Sequence, residues 1–254
     1  ASSGERRVEK QVGLLTGSHH MQVYWVPSRH GNLQHQFPLS YLIPEAEWVP
    51  VRDTFLKDPE LPPANPDWNF QCIRCHAVGG QQRPDPRTGA PDTRVGELSI
   101  ACEAGHGPAK AHVERYRNPY SRYADRFDEA ADDLIVDPLD LPHERRSEVC
   151  GQCHGILPFL LPGEHAATLS AEGLEYLPGD ELEATRPLVR PALKTRPAWL
   201  QQIVQADPSY IRNRFWSDGI VRVSGREYNG LVDSPCFQTG DREAELSCLS
   251  CDQM

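Results

Sequence analysis

Two copies of one five-residue pattern constrain this chain more than any other feature: Cys72-Ile-Arg-Cys75-His76 and Cys150-Gly-Gln-Cys153-His154. On a helical turn, positions i, i+3 and i+4 share one face. Thiols at i and i+3 can each add to a vinyl group of haem, and an imidazole at i+4 then points at the iron. The competing reading is a four-cysteine zinc site. At this histidine content, a histidine follows one chosen CxxC by chance about 4% of the time, and both copies roughly 0.2% of the time. A redox-active CxxC normally sits in a βαβ context, which the sequence lacks. Covalent haem is therefore the favoured reading.

Two further stretches resemble the same pattern with one member altered. Cys102-Glu-Ala-Gly105-His106 keeps the first thiol and the histidine but has glycine at the second thiol. Cys248-Leu-Ser-Cys251-Asp252 keeps both thiols but has aspartate at the ligand position. A hard carboxylate is a poor substitute for imidazole on haem iron. Cys236, in Ser-Pro-Cys-Phe, lies outside any such pattern and reads as a small buried side chain.

Composition narrows the alternatives. No apolar run among the 254 residues approaches the ~18 that a membrane span needs, and the longest candidate, Ile156 to Leu161, is interrupted by Pro158. A net charge of −10 argues against a nucleic-acid binder. The mean hydropathy of −0.56 is low for a self-sufficient core, which suits a chain whose interior is partly haem. The 23 prolines imply many turns and few long elements. Basic residues are nearly all arginine, suited to bidentate pairing with buried carboxylates such as haem propionates. Arg74, Arg145 and Arg146 stand nearest the motifs.

Residues 1–18 read as a polar lead-in and 19–254 as a single domain. The chain begins at Ala1, as a trimmed chain and a processed exported chain both would. Met21 to Val26 and Phe37 to Ile43 are candidate short strands. Pro44 to Pro66 reads as proline-punctuated loop, and Gln81 to Asp92 as a turn-rich surface loop. Tyr120, Tyr123, Ala124, Phe127 and Ala131 recur at helical spacing. Helices are also expected over 144–153, across 109–117, and where Trp199, Leu200, Ile203 and Val204 form an apolar stripe. Asp218-Gly219 signals a hairpin turn between 211–216 and 220–223.

The chain resembles the periplasmic multihaem c-type cytochromes of the tetrahaem type, a family that also occurs fused to tetratricopeptide repeats. The stretches that carry the resemblance are TGSHHMQVYW (16–25), DWNFQCIRCHAVGG (67–80), ELSIACEAGHGPAKAH (97–112), ERRSEVCGQCHGI (144–156), and FWSDGIVRVSGREYNGLVDSPCFQTG through LSCLSC (215–251). They span most of the chain apart from 178–214. In that family each of the four motif positions is ordinarily a complete C-x-x-C-H, so Gly105 and Asp252 are departures.

The resemblance implies a mainly α fold with long irregular loops and a few short strands, built around haem c. At least two haems would be bound covalently, and three or four if the altered motifs are used. Their thioether residues would be Cys72, Cys75, Cys150, Cys153, Cys102, Cys248 and Cys251. The iron ligands would be His76, His154 and His106, with His20 and His112 as distal candidates. His30, His35, His143 and His165 lack motif context and read as surface residues. The implied role is electron transfer between redox proteins, as a free carrier or a subunit of a respiratory complex, in the periplasm or outside the cell. The alternatives are a haem enzyme acting on a small nitrogen or sulfur species at a five-coordinate iron, and a structural subunit that has lost part of its haems.

Overall fold

The computed structural model describes residues 9–54, 66–127, 134–158, 172–173, 176–191, 196–238 and 246–250. Its N-terminal part is an antiparallel meander of four strands in sequence order: β1 (Leu14–Thr16), β2 (Met21–Pro27), β3 (Gln34–Leu42) and β4 (Glu47–Pro50). Alternation explains it. Val23 and Trp25 point inward, while Tyr24 on the other face meets Trp48 at a ring separation of 5.1 Å. The β2–β3 register runs from Met21 opposite Leu42 to Pro27 opposite Gln34, with a bulge between Val23 and Trp25.

This sheet corrects the expectation of a mainly α chain. Helix accounts for 32% and strand for 17%, a mixed α/β composition. The two candidate strands are real but extend to seven and nine residues. They recruit flanking segments that carry no strand signal of their own. Leu14–Thr16 comes from the polar lead-in, and Glu47–Pro50 from the stretch read as loop. A tight turn through Ala46, at φ 54°, makes the second recruitment possible.

The sheet exists chiefly to seat the first motif. Val23 and Trp25 form a core cluster with Trp68 and Ile73, the latter lying between the two cysteines of that motif. Buried Asn69 adds polar anchorage. Its Oδ1 accepts from Gln34 N (2.8 Å), and its Nδ2 donates to Thr93 Oγ1 (2.9 Å) and Asn32 O (3.2 Å). The intervening 81–92 loop is turn-rich as expected, with Asp85 Oδ1 accepting from Arg87 N and Thr88 N. It returns through a two-stranded ribbon of β5 (Ala77–Val78) and β6 (Glu97–Leu98).

Helices follow: α1 (Cys102–His106), α2 (Lys110–Tyr116), α3 (Pro119–Ala124) and α4 (His143–His154). The helix expected over 144–153 is therefore present, entered from Pro142 with Glu144 in its first turn, where it suits the helix dipole. The stripe of Tyr120, Tyr123 and Phe127 is not a core face. α3 is only six residues long, and Tyr120 and Phe127 are 83% and 87% exposed. Ala131 lies outside the described residues.

Two further clusters complete the core. Leu157, Tyr176, Leu182, Leu188, Tyr228 and Val232 form one, with the helices carrying Leu182 and Tyr228 packed against α4. Ile156, Val189, Leu200, Tyr210 and Phe215 form the other, with Leu200 carried by the expected helix, Ala198–Ala206. The Asp218-Gly219 signal is a tight turn: Gly219 takes φ 90°, and Trp216 N bonds Ile220 O at 2.8 Å. It closes on an isolated bridge between Phe215 and Val221.

Candidate functional site

The site assembles from the four motif segments, each on a helical turn. Cys150, Cys153 and His154 occupy the last turn of α4. Cys72–Arg74 is a 3-10 turn whose Cys72 carbonyl accepts from both Cys75 N (3.1 Å) and His76 N (2.9 Å). Cys102 and His106 begin and end α1. Cys248–Ser250 is another 3-10 turn, while Cys251 and Asp252 lie outside the described residues.

These turns, spread between residues 72 and 250, are joined directly to one another. The Cys75 thiol reaches Cys153, with its sulfur 3.8 Å from the Cys153 carbonyl. Gln152, between the cysteines of the second motif, donates to Ala104 O of α1 at 2.8 Å. Ser99 N, three residues before Cys102, bonds His76 O at 3.1 Å. Cys248 bonds Ser147 through its N–H (3.3 Å) and meets the Cys150 thiol. The cysteines thus meet as two separate pairs, Cys75 with Cys153 and Cys150 with Cys248. Among the described residues no three His, Cys, Asp or Glu side chains gather as metal ligands.

Around the first pair the contact between the two thiols dominates the electrostatics, and arginine adds to it. The Cys75 thiol is lowered, chiefly by the hydrogen bond from Cys153, with burial opposing and Arg226 and Arg186 adding to it. Cys153, as the donor, is raised. Burial pushes Cys72 up to about 12. Arg186, 8% exposed, is lowered to about 10 by burial and donates Nη1 to Gln152 O at 3.1 Å. Arg226 Nη1 donates to Cys153 O. Among the described residues neither Arg186 nor Arg226 meets a carboxylate. Buried Arg74 joins this positive surround. A buried cation such as Arg186 is costly without compensating negative charge, and beyond the Cys75 thiol a carboxylate from outside the chain would supply it.

Two imidazoles are held as iron ligands need to be. His106 Nδ1 lies 2.7 Å from Val136 O. A carbonyl only accepts, so Nδ1 carries the proton and Nε2 keeps its lone pair. His154 Nδ1 is 3.0 Å from Glu227 Oε2. Burial opposes the Glu227 charge, yet the bonds from His154 and backbone N–H groups hold its carboxyl below the ordinary range. Ligating histidines usually have this anchored second nitrogen. His76 keeps an exposed edge, but burial of its surroundings lowers its imidazole, with the Cys75 thiolate opposing and Arg226 reinforcing. Helical thiol–imidazole turns, anchored imidazoles and the Arg186 and Arg226 guanidiniums beside them together fit haem.

Other sequence expectations fare differently. Arg145 is bonded to Glu148 and lies 3.5 Å from Glu181, and Arg146 donates to Leu139 O (2.5 Å) and Leu141 O (3.2 Å). Both are engaged by acceptors of this chain. Cys236 is exposed, not buried, because its short helix, Pro235–Gln238, turns it to solvent. His20 stands exposed in the β1–β2 turn, its carbonyl accepting from Ile43 N (2.9 Å). His112 lies on α2, its ring 4.6 Å from that of Tyr116. Arg186, Arg226 and Glu227 carry no local motif, and Arg186 sits in the stretch outside the family resemblance. No helix among the described residues is long and apolar enough to cross a membrane. No family model, curated protein or solved structure matches the chain.

Proposed function

We propose that this chain is a multihaem c-type cytochrome that carries electrons between redox proteins. Haem c is attached at Cys72/Cys75 and at Cys150/Cys153, with His76 and His154 as proximal ligands. The observation that supports this reading most strongly is convergence: motif segments 78 residues apart in sequence touch through Cys75 and Cys153. Electron tunnelling falls off steeply with distance, so carriers keep their redox groups adjacent. Haem, when bound, supplies one-electron ferric/ferrous exchange at the iron.

The chain's own residues do the rest. The cysteines tether, and the histidines ligate through Nε2. Glu227 holds the proton on His154 Nδ1 and so fixes that ring. Arg186 and Arg226 neutralise propionates and exert a positive field that raises the reduction potential. His20 and His112 are the proposed distal ligands, a closed coordination that suits transfer and leaves no position for substrate. A net charge of −10 favours partners with basic docking faces. The reading implies a periplasmic or extracellular location.

The test is spectroscopic, on the chain produced with a c-type maturation system. The expected protein is red, with low-spin six-coordinate iron that dithionite reduces and a second redox protein reoxidises. A colourless protein overturns the reading. A dominant high-spin ferric signal with turnover of a small nitrogen or sulfur species replaces it with the haem-enzyme alternative.

A further inference from the structure

Resting on the cytochrome reading, we propose that α1 binds a third haem through a single thioether from Cys102, with His106 as its proximal ligand. The proposal departs from the two-thiol arrangement because Gly105 stands where the second thiol would be. A side chain added at Gly105 would meet nothing within 4 Å, so the space that a second sulfur would fill is open. Cys102 is exposed and His106 lies at i+4 on the same turn. The His106 ring is fixed by its Nδ1 bond to Val136 O, and Val136 N in turn bonds His106 O at 3.0 Å. This reciprocal pairing holds the histidine independently of any second sulfur.

Two further observations point to a flat apolar ligand here. Ile100, two residues before Cys102, is 66% exposed, and Leu139, three beyond Val136, is 62% exposed. Large aliphatic side chains left in water flanking a Cys–His turn are what a macrocycle would cover. The helix is also placed among the complete motifs, since Gln152 holds Ala104 O and the ribbon strand β5, next to His76, packs on α1. A haem at α1 would therefore continue the electron path rather than lie apart from it.

The chemistry balances without an added oxidant. The Cys102 S–H adds across one vinyl C=C of ferrous haem. A C–S bond forms at the inner vinyl carbon, and the proton ends on the outer carbon, giving a methyl group. The other vinyl stays unsaturated, because α1 offers no second thiol.

The test is intact mass and peptide mapping of the denatured holoprotein, beside Cys102→Ala and Gly105→Cys variants. In the parent chain the peptide containing Cys102 should carry one haem. In Cys102→Ala the covalent count should fall by one, while the peptides containing Cys72 and Cys150 stay modified. Cys102 is exposed, so its replacement removes no buried contact. Gly105→Cys should keep the count and shift the pyridine-haemochrome α-band of that haem toward the two-thioether position. An unmodified Cys102 peptide, or a count unchanged in Cys102→Ala, overturns this inference alone. Unmodified Cys72 and Cys150 peptides overturn the cytochrome reading beneath it.

Discussion

Replacing Asn229 with alanine should loosen the second motif from its support. Asn229 is 2% exposed and bridges two chain segments, accepting from Ile156 N at 2.6 Å and donating to Val189 O at 2.8 Å. Both partner residues are buried, so alanine leaves one N–H and one C=O without a bond and without water. Each such group costs about 1–3 kcal/mol, giving about 3 kcal/mol for the pair after partial relaxation. For a chain of this size that corresponds to a fall in Tm of roughly 6–12 °C. The damage reaches the site because Ile156 follows His154 by two residues, and Asn229 follows Glu227 by two on the helix Glu227–Val232. Thermal unfolding followed by circular dichroism, with Asn229→Leu alongside, measures it. Leucine fills the volume but satisfies neither group, so it should be nearly as destabilising. A Tm within about 2 °C of the parent for both variants would refute the claim that this bridge is buried and unshared.

Three other perturbations probe separate parts of the structure. Gly151→Ala would place a methyl 2.7 Å from the Tyr228 ring, and Tyr228 is buried. Overpacking should outweigh the helix-propensity gain and leave a net loss of about 1–2 kcal/mol, checked by urea titration; a stabilised variant would contradict the packing. Arg186→Gln removes a buried cation beside Cys75 and Cys153, so one haem midpoint should fall in a spectroelectrochemical titration; unchanged midpoints would remove Arg186 from the haem surround. Asp125 accepts from Arg115 Nη2 (2.7 Å) and Tyr116 OH (2.6 Å), bonds that hold its carboxyl below the ordinary range. Its folded value lies below its unfolded one, so its contribution is present above the unfolded value and is lost as pH falls through the folded one. Protection against amide exchange across α2 and α3, corrected for the intrinsic rate at each pH, should fall in that acid window, and Asp125→Asn should abolish the step.

Local chemistry was legible in the sequence wherever a few adjacent residues decide the structure. The α4 helix follows from Pro142 and the run to His154, the 216–219 turn from Asp218-Gly219, and strands β2 and β3 from their aromatic and β-branched content. What escaped depends on distant partners. β4 exists because β3 offers it an edge, although its own residues read as loop. The Tyr120 stripe has helical period, yet no apolar surface among the described residues covers it. The meeting of Cys75 with Cys153, and the approach of Arg186 and Arg226 to that pair, join residues 33 to 151 positions apart. No spacing within one motif encodes such contacts. The third site was readable as an altered motif, but the bond that fixes His106 comes from Val136, 30 residues on.

The central claim is that haem is covalently joined to the complete motifs. Its most direct measurement is the intact mass of the denatured chain after production with a c-type maturation system. Each attached haem adds about 616 Da. The account predicts a gain of at least two such increments, one lost in a Cys72→Ala, Cys75→Ala variant and another in Cys150→Ala, Cys153→Ala. A mass equal to the bare polypeptide, or bound zinc in place of haem, would contradict it.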